Sequence, residues 1–136
     1  MRIDHVGIIV RDLEATLQVY RDLFGDSIKI ILEHGPRWNT AIIKTESGKI
    51  ELIEPLDPDS PPGKFIAKKG EGLHHLALEV NDVQESLNTA ARLGLSVIDE
   101  HPRKGSEERL IGFIHPRSFT GVLLEFSMPD PEIKKV

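Results

Sequence analysis

The sequence predicts an α+β fold made from one βαβββ unit written twice. Three observations point there. The chain contains an internal repeat, each copy opens with a strand-length apolar run leading into an Asp-capped helical stretch, and three further strand-like runs follow each stretch.

The repeat comes first. Residues 4–25 read DHVGIIVRDLEATLQVYRDLFG and residues 74–94 read HHLALEVNDVQESLNTAARLG. Shifted by 70 positions, His5 meets His75, Val10 meets Val80, Asp12 meets Asp82, Leu17 meets Leu87 and Leu23 meets Leu93. Gly25 and Gly94 close the two copies one residue out of step. Downstream, GKIELIEP at 48–55 resembles GVLLEFSMP at 121–129, which pairs Glu51 with Glu125.

Each element follows from local chemistry. Residues 2–10 and 73–80 are short apolar runs rich in β-branched side chains, so they read as strands. Asp12 and Asp82 are N-caps, and Asp82 with Glu85 has capping-box spacing. Leu13, Leu17, Tyr20 and Phe24 recur at helical spacing, as do Val83, Leu87, Ala90 and Leu93. Gly25 and Gly94 sit where a left-handed stop belongs. Strands are then expected at about 27–33, 39–45 and 49–55, and again at about 95–101, 109–115 and 120–127. Thr45–Gly48 and Pro116–Thr120 are turn-like. The stretch 56–70, LDPDSPPGKFIAKKG, reads as a loop connector with a short helical turn over Lys64–Lys69. The expected organisation is a single domain over residues 1–127, with modules at about 2–55 and 72–127. Residues 128–136 are expected to be a poorly ordered polar tail.

Bulk composition narrows the function. Of 136 residues, 39% are hydrophobic and 29% charged, enough for one packed core under a charged surface. A net charge of −5 argues against nucleic acid. There is no cysteine, so thiolate metal sites, disulfides and cysteine nucleophiles are excluded. No run approaches the roughly 18–20 apolar residues of a membrane span. The N-terminal MRIDHVGIIV lacks the layout of a signal peptide, and a cytoplasmic location follows by default.

Strand parity selects the site. Side chains alternate across a strand. Val6, Ile8 and Val10 share the face expected to pack on helices, which turns His5 and Gly7 to the other. Leu76, Leu78 and Val80 turn His75 and Ala77 away in the same manner. Ile50 and Leu52 oppose Glu51, while Val122, Leu124 and Phe126 oppose Glu125. Four strands thus each place one imidazole or carboxylate on the non-helix face, and Gly7 and Ala77 leave room beside the histidines. Taken singly, each is a polar residue on a half-exposed strand. All four matching across a repeat point instead to one divalent first-row cation, such as cobalt, nickel, manganese, iron or zinc. Four protein ligands in an octahedral site leave two positions for substrate oxygens. His74 has the opposite parity and reads as a packed histidine. His34, His101 and His115 read as structural, and Trp38 as a packing residue.

DHVGIIVRDLE, KIELIEPLDPDSP, GEGLHHLALEV, DEHPRKG and FIHPRSFTGVLLEF together resemble methylmalonyl-CoA epimerases of the vicinal oxygen chelate superfamily, over about residues 2–127. The resemblance implies an eight-stranded mixed sheet curved into a cup, with helices on its outer face. It places the metal ligands on His5, Glu51, His75 and Glu125, with cobalt foremost and nickel, manganese or zinc as alternatives. Some epimerases carry Gln where this chain has Glu51. The implied reaction interconverts the two epimers of methylmalonyl-CoA by 1,1-proton transfer through a metal-stabilised enolate. Its acid/base residues would be Glu33, on a turn before the third strand, and Glu125. The chain departs from the family at PRWNTAIIK, which runs longer than the usual pattern. A homodimer is implied too.

Two alternatives come with the superfamily. One is a glyoxalase I-type lyase (a lactoylglutathione lyase), and the other is a non-catalytic small-molecule-binding protein of the bleomycin-resistance kind. The second kind commonly lacks metal ligands. The chain has no G-x-x-x-x-G-K phosphate loop. Any coenzyme A tail would therefore meet scattered basic side chains, with Lys64, Lys68, Lys69, Arg103, Lys104 and Arg117 as candidates.

Overall fold

The computed structural model describes residues 1–133. The eight strands are β1 (Arg2–Ile9), β2 (Lys29–His34), β3 (Trp38–Lys44), β4 (Lys49–Pro55), β5 (Gly72–Glu79), β6 (Arg103–Lys104), β7 (Arg109–Ile114) and β8 (Leu124–Pro129). Helix α1 (Leu13–Phe24) follows β1, α2 (Pro61–Lys69) follows β4, and α3 (Val83–Arg92) follows β5. Within the first half the strand order is β2-β3-β4-β1, and within the second it is β5-β8-β7-β6. β1 with β4 and β5 with β8 are parallel, and the other recorded pairs within each half are antiparallel. Each half is the expected βαβββ unit, with α2 lying in the connector between them.

The chain divides into two compact units, one over residues 5–74 and the other formed by residues 1–4 with the chain from residue 75 onward. In the first unit, Val10, Leu13, Leu17, Ala41, Ile43 and Leu52 make the core, with Ile8, Tyr20, Ile30 and Ile50 against it. In the second, Val83, Leu87, Ala90, Ile114 and Leu124 do the same, with Leu78, Val80, Phe126 and Met128 packed on. Both clusters use the helix-side parity expected from the sequence, because an apolar stripe is buried only where sheet and helix face each other.

The helix starts hold at both repeats. Asp12 accepts from the Ala15 backbone N–H, and Asp82 accepts from that of Glu85, both at 2.9 Å. The reciprocal half of the capping box is absent from the bonds seen at Glu85, whose carboxylate instead takes Arg92. Gly25 and Gly94 both have positive φ, 87° and 79°, the region where a side chain is disfavoured.

Four expectations are corrected. The connector holds a full helix rather than a turn at its end. Ser60 caps α2 through the Gly63 N–H, and the prolines read as loop signals occupy its first positions. Proline suits those positions because its missing N–H would be unbonded there anyway.

No strand forms over 95–101. Val97 makes only an isolated bridge to Ile114. The Asp99 carboxylate accepts the Phe113 N–H at 2.9 Å, taking the place a strand carbonyl would fill, and the ladder resumes only at Arg103 and Lys104.

The last strand begins at Leu124, not 120. Thr120 and Gly121 have φ of 54° and 80°, and the N–H groups of Phe119 and Gly121 both bond to the Pro116 carbonyl. Val122 is consequently outside the strand. β8 then runs on through Pro129. The Asp130 N–H donates to the Glu108 carbonyl, and its carboxylate bonds Lys104, so the chain stays tied beyond 127. Residues 134–136 of the expected tail lie outside the described residues.

Glu33, finally, is not on a turn. It lies in β2, paired with Thr40 of β3, and the turn falls at 35–37.

Candidate metal centre and active site

Two parallel strand pairs set the site residues. In the first half, β1 lies beside β4 with Gly7 opposite Glu51. His5 sits two residues back on the same face of β1. In the second half, β5 lies beside β8 with Ala77 opposite Glu125, and His75 again sits two residues back. The small residues Gly7 and Ala77, expected to leave room beside the histidines, also stand opposite the two carboxylates. His5 Nε2 is 3.9 Å from Glu51 Oε2, and His75 Nε2 is 3.3 Å from Glu125 Oε2.

All four side chains are buried, with residue exposures of 7% for His5 and Glu51, 5% for His75 and 4% for Glu125. Buried carboxylates and imidazoles need partners. Donors that share one cation at about 2.0–2.2 Å stand roughly 3.0–3.5 Å apart at angles from a right angle to the tetrahedral value. The His75–Glu125 spacing falls in that range and the His5–Glu51 spacing is somewhat wider. Nitrogen and oxygen donors also match the borderline divalent ions. The donor set therefore fits a divalent metal. Each half thus brings one imidazole and one carboxylate of ligand type together, His5 with Glu51 and His75 with Glu125.

Register places Glu33 on the same face. Glu33 stands opposite Thr40, Thr40 opposite Ile53, and Ile42 opposite Glu51. Directly opposed residues share a face and alternate ones return to it. Glu33, Thr40, Ile42, Glu51 and Ile53 thus belong to one surface, where Thr40 and Ile42 are almost fully buried. Glu33 itself is half-buried.

One aromatic at the site does not stand out in the sequence. Phe113 of β7 is opposite Glu125, and its ring meets the His75 imidazole edge-on, with centroids 5.8 Å apart at 88°. The signal was present in FIHP, an aromatic with the parity of Ile111 in an otherwise aliphatic strand. Only the pairing of β7 with β8 shows that it reaches a histidine.

The remaining histidines have structural partners. His34 meets Asn39 at 3.2 Å and His101 meets Gln84 at 3.0 Å, each through Nδ1. His115 accepts the Arg117 N–H. His74 packs edge-on against Phe65 of α2, and burial, followed by the charge of Lys69, pushes it down to about 4. It stays neutral at physiological pH. Trp38 is half-buried at the start of β3, opposite Pro55.

The six basic candidates separate. Lys64, Lys68 and Lys69 are on α2, and Lys69 lies over Phe65. Arg117 bonds Ser96. Lys104 is held by Asp130. Arg103 lies over the Phe113 ring.

The profile of the Glyoxalase/Bleomycin resistance protein/Dioxygenase superfamily matches residues 4–113. The chain belongs to that superfamily. Within it, the chain is 33% identical to an ethylmalonyl-CoA/methylmalonyl-CoA epimerase of Cereibacter sphaeroides over 91% of its length and 95% of the relative's. A mitochondrial methylmalonyl-CoA epimerase of Dictyostelium discoideum is 32% identical over 91% of this chain and 76% of the relative. An uncharacterized Bacillus subtilis protein, YqjC, is 37% identical over 94% and 92%. Among solved structures, a variant of the Streptomyces coelicolor methylmalonyl-CoA epimerase in complex with 2-nitronate-propionyl-CoA superposes with TM-score 0.87 at 33% identity, covering 99% of both chains. The chain is a member of the methylmalonyl-CoA epimerase family, whose enzymes are isomerases, and it has their vicinal oxygen chelate fold. Among the described residues, no helix is long and apolar enough to cross a membrane.

Proposed function

We propose that this chain interconverts the two epimers of methylmalonyl-CoA by 1,1-proton transfer at the carbon between thioester and carboxylate. The observation that carries the reading is the duplicated His–Glu pair, His5 with Glu51 and His75 with Glu125, in a chain of epimerase kinship. His5, Glu51, His75 and Glu125 would hold one divalent cation, cobalt foremost. When bound, it withdraws electrons from the thioester carbonyl and so acidifies the neighbouring carbon.

The protein's own share is proton handling. Epimerisation needs one group to take the proton from one face of the carbon and another to return it on the other. Glu33 and Glu125 take these roles. The support for Glu33 is its place on the same face as Glu51, free of any proposed ligand duty. His5, Glu51, His75 and Glu125 are buried, which would limit the access of water to the carbanion. Solved relatives carry acyl-CoA ligands in their complexes, which supports a coenzyme A thioester here. The working unit is taken as a cytoplasmic homodimer. Light scattering that gives a mass near the 15.2 kDa of one chain would remove the dimer.

The decisive experiment supplies (2R)-methylmalonyl-CoA in deuterated water to the metal-loaded protein. Conversion to the 2S epimer with deuterium at the α-carbon is expected. No conversion, together with turnover of a glutathione hemithioacetal, would move the chain to the lyase alternative.

A further inference from the structure

We propose that Arg103 binds an anionic oxygen group of the substrate and sets which thioesters the site accepts. The inference rests on the epimerase reading and adds a residue to it. Arg103 stands opposite Ile111 of β7, and Ile111 stands opposite Ser127 of β8. Glu125 and Ser127 alternate on one face, so Arg103 shares the face of the His75–Glu125 pair. Lys104, one residue on, has the opposite parity and is tied to Asp130.

The side chain is held from two sides. Asp99 accepts from Arg103 Nε at 2.9 Å, and its other oxygen accepts the Phe113 N–H at 2.9 Å. The guanidinium carbon lies 5.2 Å from the centroid of the Phe113 ring, a cation–π distance. That same ring is the one that meets His75. Asp99 is largely buried, whereas about half of the Arg103 side chain is exposed, 14% against 52%. A side chain of this length loses much rotamer freedom when ordered, and here Asp99 and the Phe113 ring already restrain it. Among the described residues, nothing accepts from its two terminal amino groups. They remain as a planar fork, which matches a carboxylate or phosphate in two parallel hydrogen bonds.

The substrate offers both anions, the acyl carboxylate and the phosphates of its carrier. The shared chemistry is a bidentate oxyanion, and substrate truncation separates the two sources. Metal-loaded wild-type, Arg103→Met and Arg103→Lys proteins would be compared on methylmalonyl-CoA and on methylmalonyl-pantetheine, which lacks phosphate. KM and kcat are read by epimerisation and affinity by calorimetry. Methionine keeps an apolar stem on Phe113 and removes the fork. Arg103→Met should weaken binding and raise KM about 10–100-fold, the scale of a lost pair of charge-assisted hydrogen bonds, with kcat changed less than threefold. Loss on both thioesters assigns the carboxylate, and loss on methylmalonyl-CoA alone assigns a phosphate. Arg103→Lys should recover part of the loss. Equal affinity of Arg103→Met and wild type on both thioesters overturns the assignment, as does a loss confined to kcat. If wild type binds the thioesters without epimerising them, the epimerase reading fails, and calorimetry alone still decides Arg103.

Discussion

His75 Nε2 stands 3.3 Å from Glu125 Oε2, with both side chains shut away from solvent. Two such groups at that spacing are placed to share a cation. Glu125→Gln should therefore lose divalent-metal affinity at least tenfold while keeping the fold. Stripping metal from the wild type should lower its melting temperature, since a ligand at 100 times its Kd adds about 2.7 kcal/mol to the native state. Metal titration and a thermal scan with and without chelator check both. An unchanged scan after verified metal loading and removal would count against the site.

Glu33→Gln keeps the size of the side chain and touches no proposed ligand. It should retain metal while turnover falls about 10²–10⁴-fold, the usual scale for an acid–base group. Loss of solvent exchange from one epimer only would mark Glu33 as the base for one face. Wild-type turnover would leave it a strand carboxylate and nothing more.

Asp57 supplies a pH signature outside the site. The Arg37 guanidinium, bonded at 2.7 Å, holds its carboxyl below the ordinary 3.8, and the Asp59 N–H adds to the effect. A carboxylate with a lowered folded value stabilises the protein above its unfolded value, and that contribution is lost as pH falls through the folded one. The acid limb of a melting-temperature profile should therefore be steeper in wild type than in Asp57→Asn below about pH 4. Superimposable limbs would show that the pair is energetically silent.

Gly63→Ala should be costly despite its place on the first turn of a helix. A Cβ there would lie 2.3 Å from the Asp57 carbonyl oxygen and 2.9 Å from Pro58, both backbone groups with little room to yield. Forcing such an approach costs about 1–3 kcal/mol. Urea unfolding reads it directly, and a variant as stable as wild type would mean that the 56–60 segment yields freely.

The sequence by itself determined the repeat, the helix caps and which face His5, Glu51, His75 and Glu125 take. These properties are local. Alternation along a strand follows from backbone geometry alone, and an Asp caps a helix within three residues of itself. The tertiary structure decided everything that depends on which segments lie side by side. Residues 95–101 have strand-like composition, yet Asp99 bonds Phe113 through its side chain and no ladder forms there. Glu33 precedes a Gly-Pro pair and reads as a turn residue, yet pairing with Thr40 draws β2 onward to His34. The prolines at 61 and 62 signal a loop in isolation, but Ser60 and the close approach of Gly63 to Asp57 make them a helix start. Phe113 and Arg103 are ten positions apart in sequence. Only the β6–β7–β8 register puts one against His75 and the other over the same ring, because contact across strands is set by pairing and not by spacing along the chain.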